Sequence, residues 1–139
     1  MQPSFMLTKL SGLYLIIDDD DSLRNLLEVI IESAGGSTQS AGTPKEAIKV
    51  VRELGPKITG ILLDMNLDQS KGEDLYDELV QIEPNLDFFP MSGCHPDEVN
   101  ERLGNRPTSG MIGKPFLSAD LVSTLANAFA SRGQPSQSL

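Results

Sequence analysis

The chain has 139 residues, 39% of them hydrophobic, enough for one buried core and too few residues for two full domains. Twenty Asp and Glu stand against eleven Lys and Arg, a net charge of −9 that disfavours direct contact with nucleic acid or an anionic membrane surface. One cysteine, Cys94, excludes an internal disulfide and suits a reducing, cytoplasmic setting, and the longest apolar run, residues 13–17, falls far short of the roughly 20 residues that span a bilayer.

Residues 1–10 read as an N-terminal lead without a secretory signal, 11–131 as one domain, and 132–139 as a polar tail that suits a frayed end or the start of a linker. Leu13–Ile17 is a continuous apolar run ended by acid, as in a strand buried on both faces. From Leu23 the apolar positions 23, 26, 27, 30, 31 and 34 repeat at helical spacing, with Asp21 or Ser22 as N-cap and Gly35-Gly36 as the stop. Residues 37–41 form a short polar strand, which places it near a sheet edge. Thr43-Pro44 opens a second helix that Gly55-Pro56 ends, and residues 58–63 repeat the apolar strand ending in acid, here Asp64.

Residues 72–83 carry Leu75, Leu79 and Ile82 on one stripe and form a third helix. A strand over 86–91 ends at Ser92, and a weaker helical stretch over 96–103 follows. A strand over 109–113 precedes Lys114, and Ser118 caps a last helix with Leu121, Val122, Leu125, Ala128 and Phe129 inward. Five strands alternating with five helices require crossover connections, which predicts a mostly parallel sheet in a three-layer α/β/α sandwich. In such sheets the ligand crevice opens at the carboxyl ends of the strands, where Asp18, Asp19, Asp64, Ser92 and Lys114 stand.

The acid run 18–21 doubles as a helix N-terminus, which accounts for Asp20 and Asp21 better than for Asp18 and Asp19 at the end of a central strand. If the first and third strands are neighbours, Asp18, Asp19 and Asp64 converge. Two unit charges about 4 Å apart repel by roughly 4 kcal/mol at an effective dielectric of 20, so the trio calls for a divalent cation or for protonation. Oxygen ligands without His or Cys select Mg²⁺, with Mn²⁺ as its substitute. A hydroxyl from Ser92 and an ammonium from Lys114 complete a set suited to metal-assisted phosphoryl transfer.

At this point the chain resembles the receiver domain of two-component response regulators over residues 11–131. Leu15-Ile16-Ile17-Asp18-Asp19 is similar to the family's opening strand and acid pair, with Arg24 where its first helix often carries arginine. Ile61-Leu62-Leu63-Asp64-Met65-Asn66 resembles the phosphoacceptor strand, with Gly72 at the expected distance. Met91-Ser92-Gly93 resembles the switch motif, and Gly113-Lys114-Pro115-Phe116 the lysine-proline-phenylalanine signature.

The resemblance implies a flavodoxin-like (βα)5 fold with strand order 2-1-3-4-5. It implies Asp64 as phosphoacceptor, Asp19, Asp64 and the Asn66 main-chain carbonyl as metal ligands with Asp18 acting through water, and Ser92 and Lys114 on the phosphoryl oxygens. It further implies a sensor histidine kinase or phosphotransfer protein as donor. The output surface is the face of the fourth helix, fifth strand and fifth helix, which serves a downstream protein or a homodimer. A cis Lys114-Pro115 peptide is also expected.

Departures are visible. Met111 stands where an aromatic usually partners Ser92 in the switch, and Asp68 where the loop usually has proline, which adds an acid near the pocket and frees the backbone. Cys94 and Asn66 occupy positions that influence water access in the family, while the lone histidine, His95, receives no role. Two rival readings stay open. One is a receiver-like interaction module that never cycles phosphate; the other is a haloacid-dehalogenase-like phosphatase with Asp18 and Asp20 as nucleophile and acid.

Overall fold

The computed structural model describes residues 9–68 and 70–133, with side chains described up to residue 128. The remaining parts of the lead and tail, residues 1–8 and 134–139, and the side chain of Phe129 lie outside the described residues. In chain order the elements are β1 (Leu13–Ile17), α1 (Asp21–Ser33), β2 (Ser37–Ala41), α2 (Pro44–Leu54) and a 3-10 turn at Gly55–Lys57. Then come β3 (Ile58–Asp64), β4 (Asn66–Leu67), β5 (Ser70–Lys71), α3 (Gly72–Ile82), β6 (Phe88–Ser92), α4 (Pro96–Leu103), β7 (Ile112–Gly113) and α5 (Ser118–Gly133).

The main sheet has five parallel strands in the order β2-β1-β3-β6-β7, the expected 2-1-3-4-5 once the small β4-β5 ribbon is set aside. Successive residues of a strand point to opposite faces, and β1 divides accordingly. Leu15 and Ile17 join Ala47 and Val51 of α2 and Leu75 and Leu79 of α3. Tyr14 and Ile16 join Leu27 and Ile31 of α1 and Leu121 and Leu125 of α5. Two cores therefore sandwich the sheet, which is why β1 and β3 read as unbroken apolar runs. A third, small cluster of Met65, Val99 and Leu103 anchors α4, with Cys94 and Met111 against it.

Several boundaries differ from the sequence reading, among them that of β6, which runs Phe88–Ser92 rather than 86–91. The N-cap of α1 is Asp20, whose carboxylate accepts from the Leu23 N–H at 3.2 Å, so the helix takes in Asp21 and Ser22. Ser118 is the first residue of α5, and the Leu117 carbonyl accepts the Leu121 N–H at 3.0 Å. Leu10, counted with the lead, is buried and donates its N–H to Ala34 O at 2.7 Å, while α5 runs on to Gly133.

The last strand is short for a reason that lies across from it. Ser109 N–H donates to Phe88 O and Lys114 N–H to Ser92 O, each at 2.8 Å, so five residues on one side answer four on the other. Pro90 falls between these two bonds on the same edge of β6 and has no N–H to give, and the ladder slips there.

The turn into α3 is tight. A Cβ on Gly72 would stand 2.6 Å from Met65 Cα and 3.0 Å from Asp64 O, both backbone atoms that cannot move aside cheaply, whereas a Cβ on Gly113 would meet nothing within 4 Å. Gly72→Ala is therefore expected to lower the unfolding free energy by about 1–3 kcal/mol in urea titrations. Gly113→Ala should stay within about 0.5 kcal/mol of wild type.

Candidate functional site

The carboxyl ends of β1, β3, β6 and β7 meet at one edge of the sheet. Because β1 lies between β2 and β3, the residue after Ile17 is brought beside the last residue of β3. Asp18 and Asp64 are buried, at 1% and 5% exposure, and Asp19 is exposed. Carboxylate oxygens of Asp18, Asp19 and Asp64 all lie within 4.8 Å of one another.

Each acid is held by hydrogen bonds that leave its charge uncancelled. Asp18 Oδ1 accepts the Asp20 N–H at 2.9 Å, and Asp64 Oδ1 accepts the Asn66 N–H at 2.9 Å, each bond closing a local turn. The Asp18 main-chain carbonyl accepts from Arg24 Nη1 at 2.6 Å, and Arg24 also pairs with Asp21, so α1 is pinned to the end of β1. Asp19 Oδ2 accepts the Asp68 N–H at 2.9 Å, a bond that a proline at this position could not make.

Lys114 enters from the end of β7. Its Nζ lies 2.9 Å from Asp18 Oδ2 and 3.5 Å from Asp64 Oδ2, and its peptide bond to Pro115 is cis. Burial pulls the ammonium down, but the Asp18 hydrogen bond and the charges of Asp64 and Asp18 outweigh it and hold the Lys114 pKa above its usual value. Three carboxylates and one ammonium leave a formal charge of −2. Clustered oxygens with that deficit fit a hard divalent cation, and among the described residues the group that could hold it is made of carboxylates alone. Ser92, buried at the end of β6, receives the Cys94 N–H on its Oγ at 3.0 Å.

The other singled-out residues lie around this cluster. Met111 and Cys94 pack against the cluster of Met65, Val99 and Leu103 that anchors α4. His95 caps α4, its Nδ1 accepting the Asp97 N–H at 3.1 Å, and is not one of the residues that gather with Asp18, Asp19 and Asp64.

Two features carried no sequence signal. The antiparallel ribbon pairs Asn66 with Lys71 and Leu67 with Ser70. Arg102 of α4 reaches Glu73, Asn66 and the Met65 carbonyl across gaps of 29 to 37 residues, which no local spacing encodes.

Burial raises the pKa of Asp64, and the charges of Asp18 and Asp19 add to this against the opposing pull of the Asn66 N–H and Lys114. A carboxyl titrating higher in the folded chain than in the unfolded one favours folding while protonated. That contribution is complete below the ordinary value of 3.8 and is lost as pH rises through the folded value. Asp64→Asn, which cannot ionise, is therefore expected to resist urea better than wild type at pH 7 in metal-free buffer. Its advantage should shrink as the pH is lowered towards 4.

Comparison with known proteins identifies the family. Sensor kinase CckA of Brucella abortus is 28% identical over 120 residues, 85% of this chain and 13% of the kinase. DNA-binding response regulator MtrA of Mycolicibacterium smegmatis is 36% identical over 109 residues, 78% of this chain and 46% of that protein. The chain thus spans less than half the length of either relative. A two-component response regulator from Clostridium difficile shares the fold with a TM-score of 0.78 at 20% identity, over 88% of this chain and 99% of that one. The response regulator receiver domain matches residues 14–126, most of the chain, and the protein belongs to that family of two-component signalling.

Proposed function

We propose that this receiver domain accepts a phosphoryl group on Asp64 in a Mg²⁺-dependent transfer from a phosphohistidine of a sensor kinase or phosphotransfer protein, or from a small acyl phosphate. The observation that carries this reading is the placement of Lys114 Nζ between Asp18 and Asp64, at 2.9 and 3.5 Å, beside three converging carboxylates. Asp19, Asp64 and the Asn66 main-chain carbonyl would hold Mg²⁺, with Mn²⁺ as substitute and Asp18 engaged through water. When bound, the ion supplies positive charge that offsets the acids and the donor's phosphoryl oxygens.

The chain's own groups do the rest. An Asp64 carboxylate oxygen forms the new P–O bond, and the donor's P–N bond, or P–O bond in an acyl phosphate, breaks with its electron pair leaving on the donor. Lys114 pairs with one phosphoryl oxygen. Ser92 accepts the Cys94 N–H and, being a hydroxyl, still has a proton to give to another. Movement of Ser92 towards the phosphoryl group alters the space beside Met111, which packs on the Met65, Val99 and Leu103 cluster that anchors α4. The face of α4, β7 and α5 then changes its affinity for a downstream protein or a second copy of the chain. No described helix is long and apolar enough to cross a membrane, and we place the reaction in the cytoplasm.

Incubation with Mg²⁺ and acetyl phosphate should add one hydroxylamine-labile phosphoryl group by intact mass. Asp64→Asn should abolish it, Asp18→Asn should not move it to another residue, and Lys114→Ala should slow it on the order of 100-fold. A folded, Mg²⁺-binding wild type that gains no phosphoryl group from acetyl phosphate or from any histidine kinase would support the non-cycling interaction module instead.

A further inference from the structure

Arg102 has no part in the reaction proposed above, yet its guanidinium is committed to the loop behind Asp64. Nη2 donates to Met65 O and to Glu73 Oε1, both at 2.6 Å; Nε donates to Glu73 Oε2 at 3.2 Å; Nη1 donates to Asn66 Oδ1 at 2.8 Å. The Met65 carbonyl also accepts the Gly72 N–H at 3.0 Å, while the N–H of the same peptide unit, from Asn66, goes to Asp64 Oδ1 at 2.9 Å. That peptide is thus fixed at both ends. The Asn66 side chain is fixed as well, and the β4-β5 ribbon pairs Asn66 with Lys71. Little freedom remains to the Asn66 carbonyl, and Arg102 supplies two of the restraints that remove it.

We propose that Arg102 is a positioning residue for the divalent-cation site: it presets the Asn66 carbonyl and makes the order of α4 depend on occupancy of that site. The inference rests on the metal ligands assigned above. Groups that orient the ligands of a metal commonly govern its affinity nearly as strongly as the ligands do. A planar fork is required, because the contacts to carboxylate, carbonyl and amide diverge from one guanidinium, and an ammonium cannot reach all three.

The sign of the effect separates positioning from charge. Arg102 is a cation beside an acidic pocket, so removing its charge should by Coulomb attraction alone tighten the binding of another cation. Loss of positioning should weaken it. The Arg102–Glu73 pair joins α4 to α3, so the same clamp transmits restraint in the other direction, from a filled cation site to α4.

The test titrates Mg²⁺ calorimetrically, and Mn²⁺ by electron paramagnetic resonance, into the full chain as wild type, Arg102→Ala and Arg102→Lys. Arg102→Ala should raise the Kd about tenfold or more. Arg102→Lys, which keeps the charge and guards against loss of folding in the alanine variant, should also weaken binding by several-fold. In hydrogen exchange, Mg²⁺ should slow the amides of residues 96–103 in wild type and leave them unchanged in the variants, a response that a merely stabilising arginine would not give. A Kd in either variant equal to or below that of wild type overturns the inference alone. A folded wild type that binds neither ion overturns it together with the metal assignment it rests on.

Discussion

Two buried carboxylates share one ammonium. Lys114 Nζ lies 2.9 Å from Asp18 and 3.5 Å from Asp64, and the position of both acids follows from the strand order, because β1 and β3 are neighbours and end together. At an effective dielectric of 20, like charges about 4 Å apart repel by roughly 4 kcal/mol, and burial adds a desolvation cost to each. Lys114 offsets part of this and is itself kept protonated by it. β7 need only be long enough to deliver Lys114, and its two residues do so: the Lys114 N–H bonded to Ser92 O at 2.8 Å sets where the side chain leaves the sheet.

The loop behind Asp64 is built to the same constraint. Gly72 lets α3 begin against the backbone of Asp64 and Met65, at distances that leave no room for a side chain. The Asp68 N–H restrains Asp19, the one exposed acid of the three, by a 2.9 Å bond that a proline could not make. Asp68 therefore places a donor where the acid cluster is least enclosed.

Much of this was legible because strand ends in a parallel α/β sheet are marked in the sequence. Leu13–Ile17 and residues 58–63 are apolar on both faces and stop at acids, and Thr43-Pro44 and Gly55-Pro56 punctuate α2 where they stand. The pattern was weaker where neighbouring residues competed for one task. Asp20, Asp21 and Ser22 can all cap α1, and only the reach of the Asp20 carboxylate to Leu23 N–H decides among them. It was silent where the determinant lay on another strand or helix. The length of β7 depends on Pro90 of β6, and the restraint of Asn66 depends on Arg102, 36 residues away.

The attachment of α4 shows how such long-range pairs divide the work. Its apolar anchorage among the buried residues is Val99 and Leu103 on Met65, a cluster far smaller than either of the two main cores. Two arginines supply the rest. Arg106 joins Asp77 through Nε and Nη2, each at 2.8 Å, and caps the end of α4 by donating to the Arg102 and Leu103 carbonyls, but Asp77 is 51% exposed and the pair is screened by solvent and salt. Arg102 and Glu73 are 22% and 15% exposed and bound through both carboxylate oxygens, and the hydrogen bonds from Arg102 hold the Glu73 carboxyl below its usual range. Of the two, the pair nearer Asp64 is the better shielded, so polar contact fixes α4 most firmly beside the loop that follows Asp64.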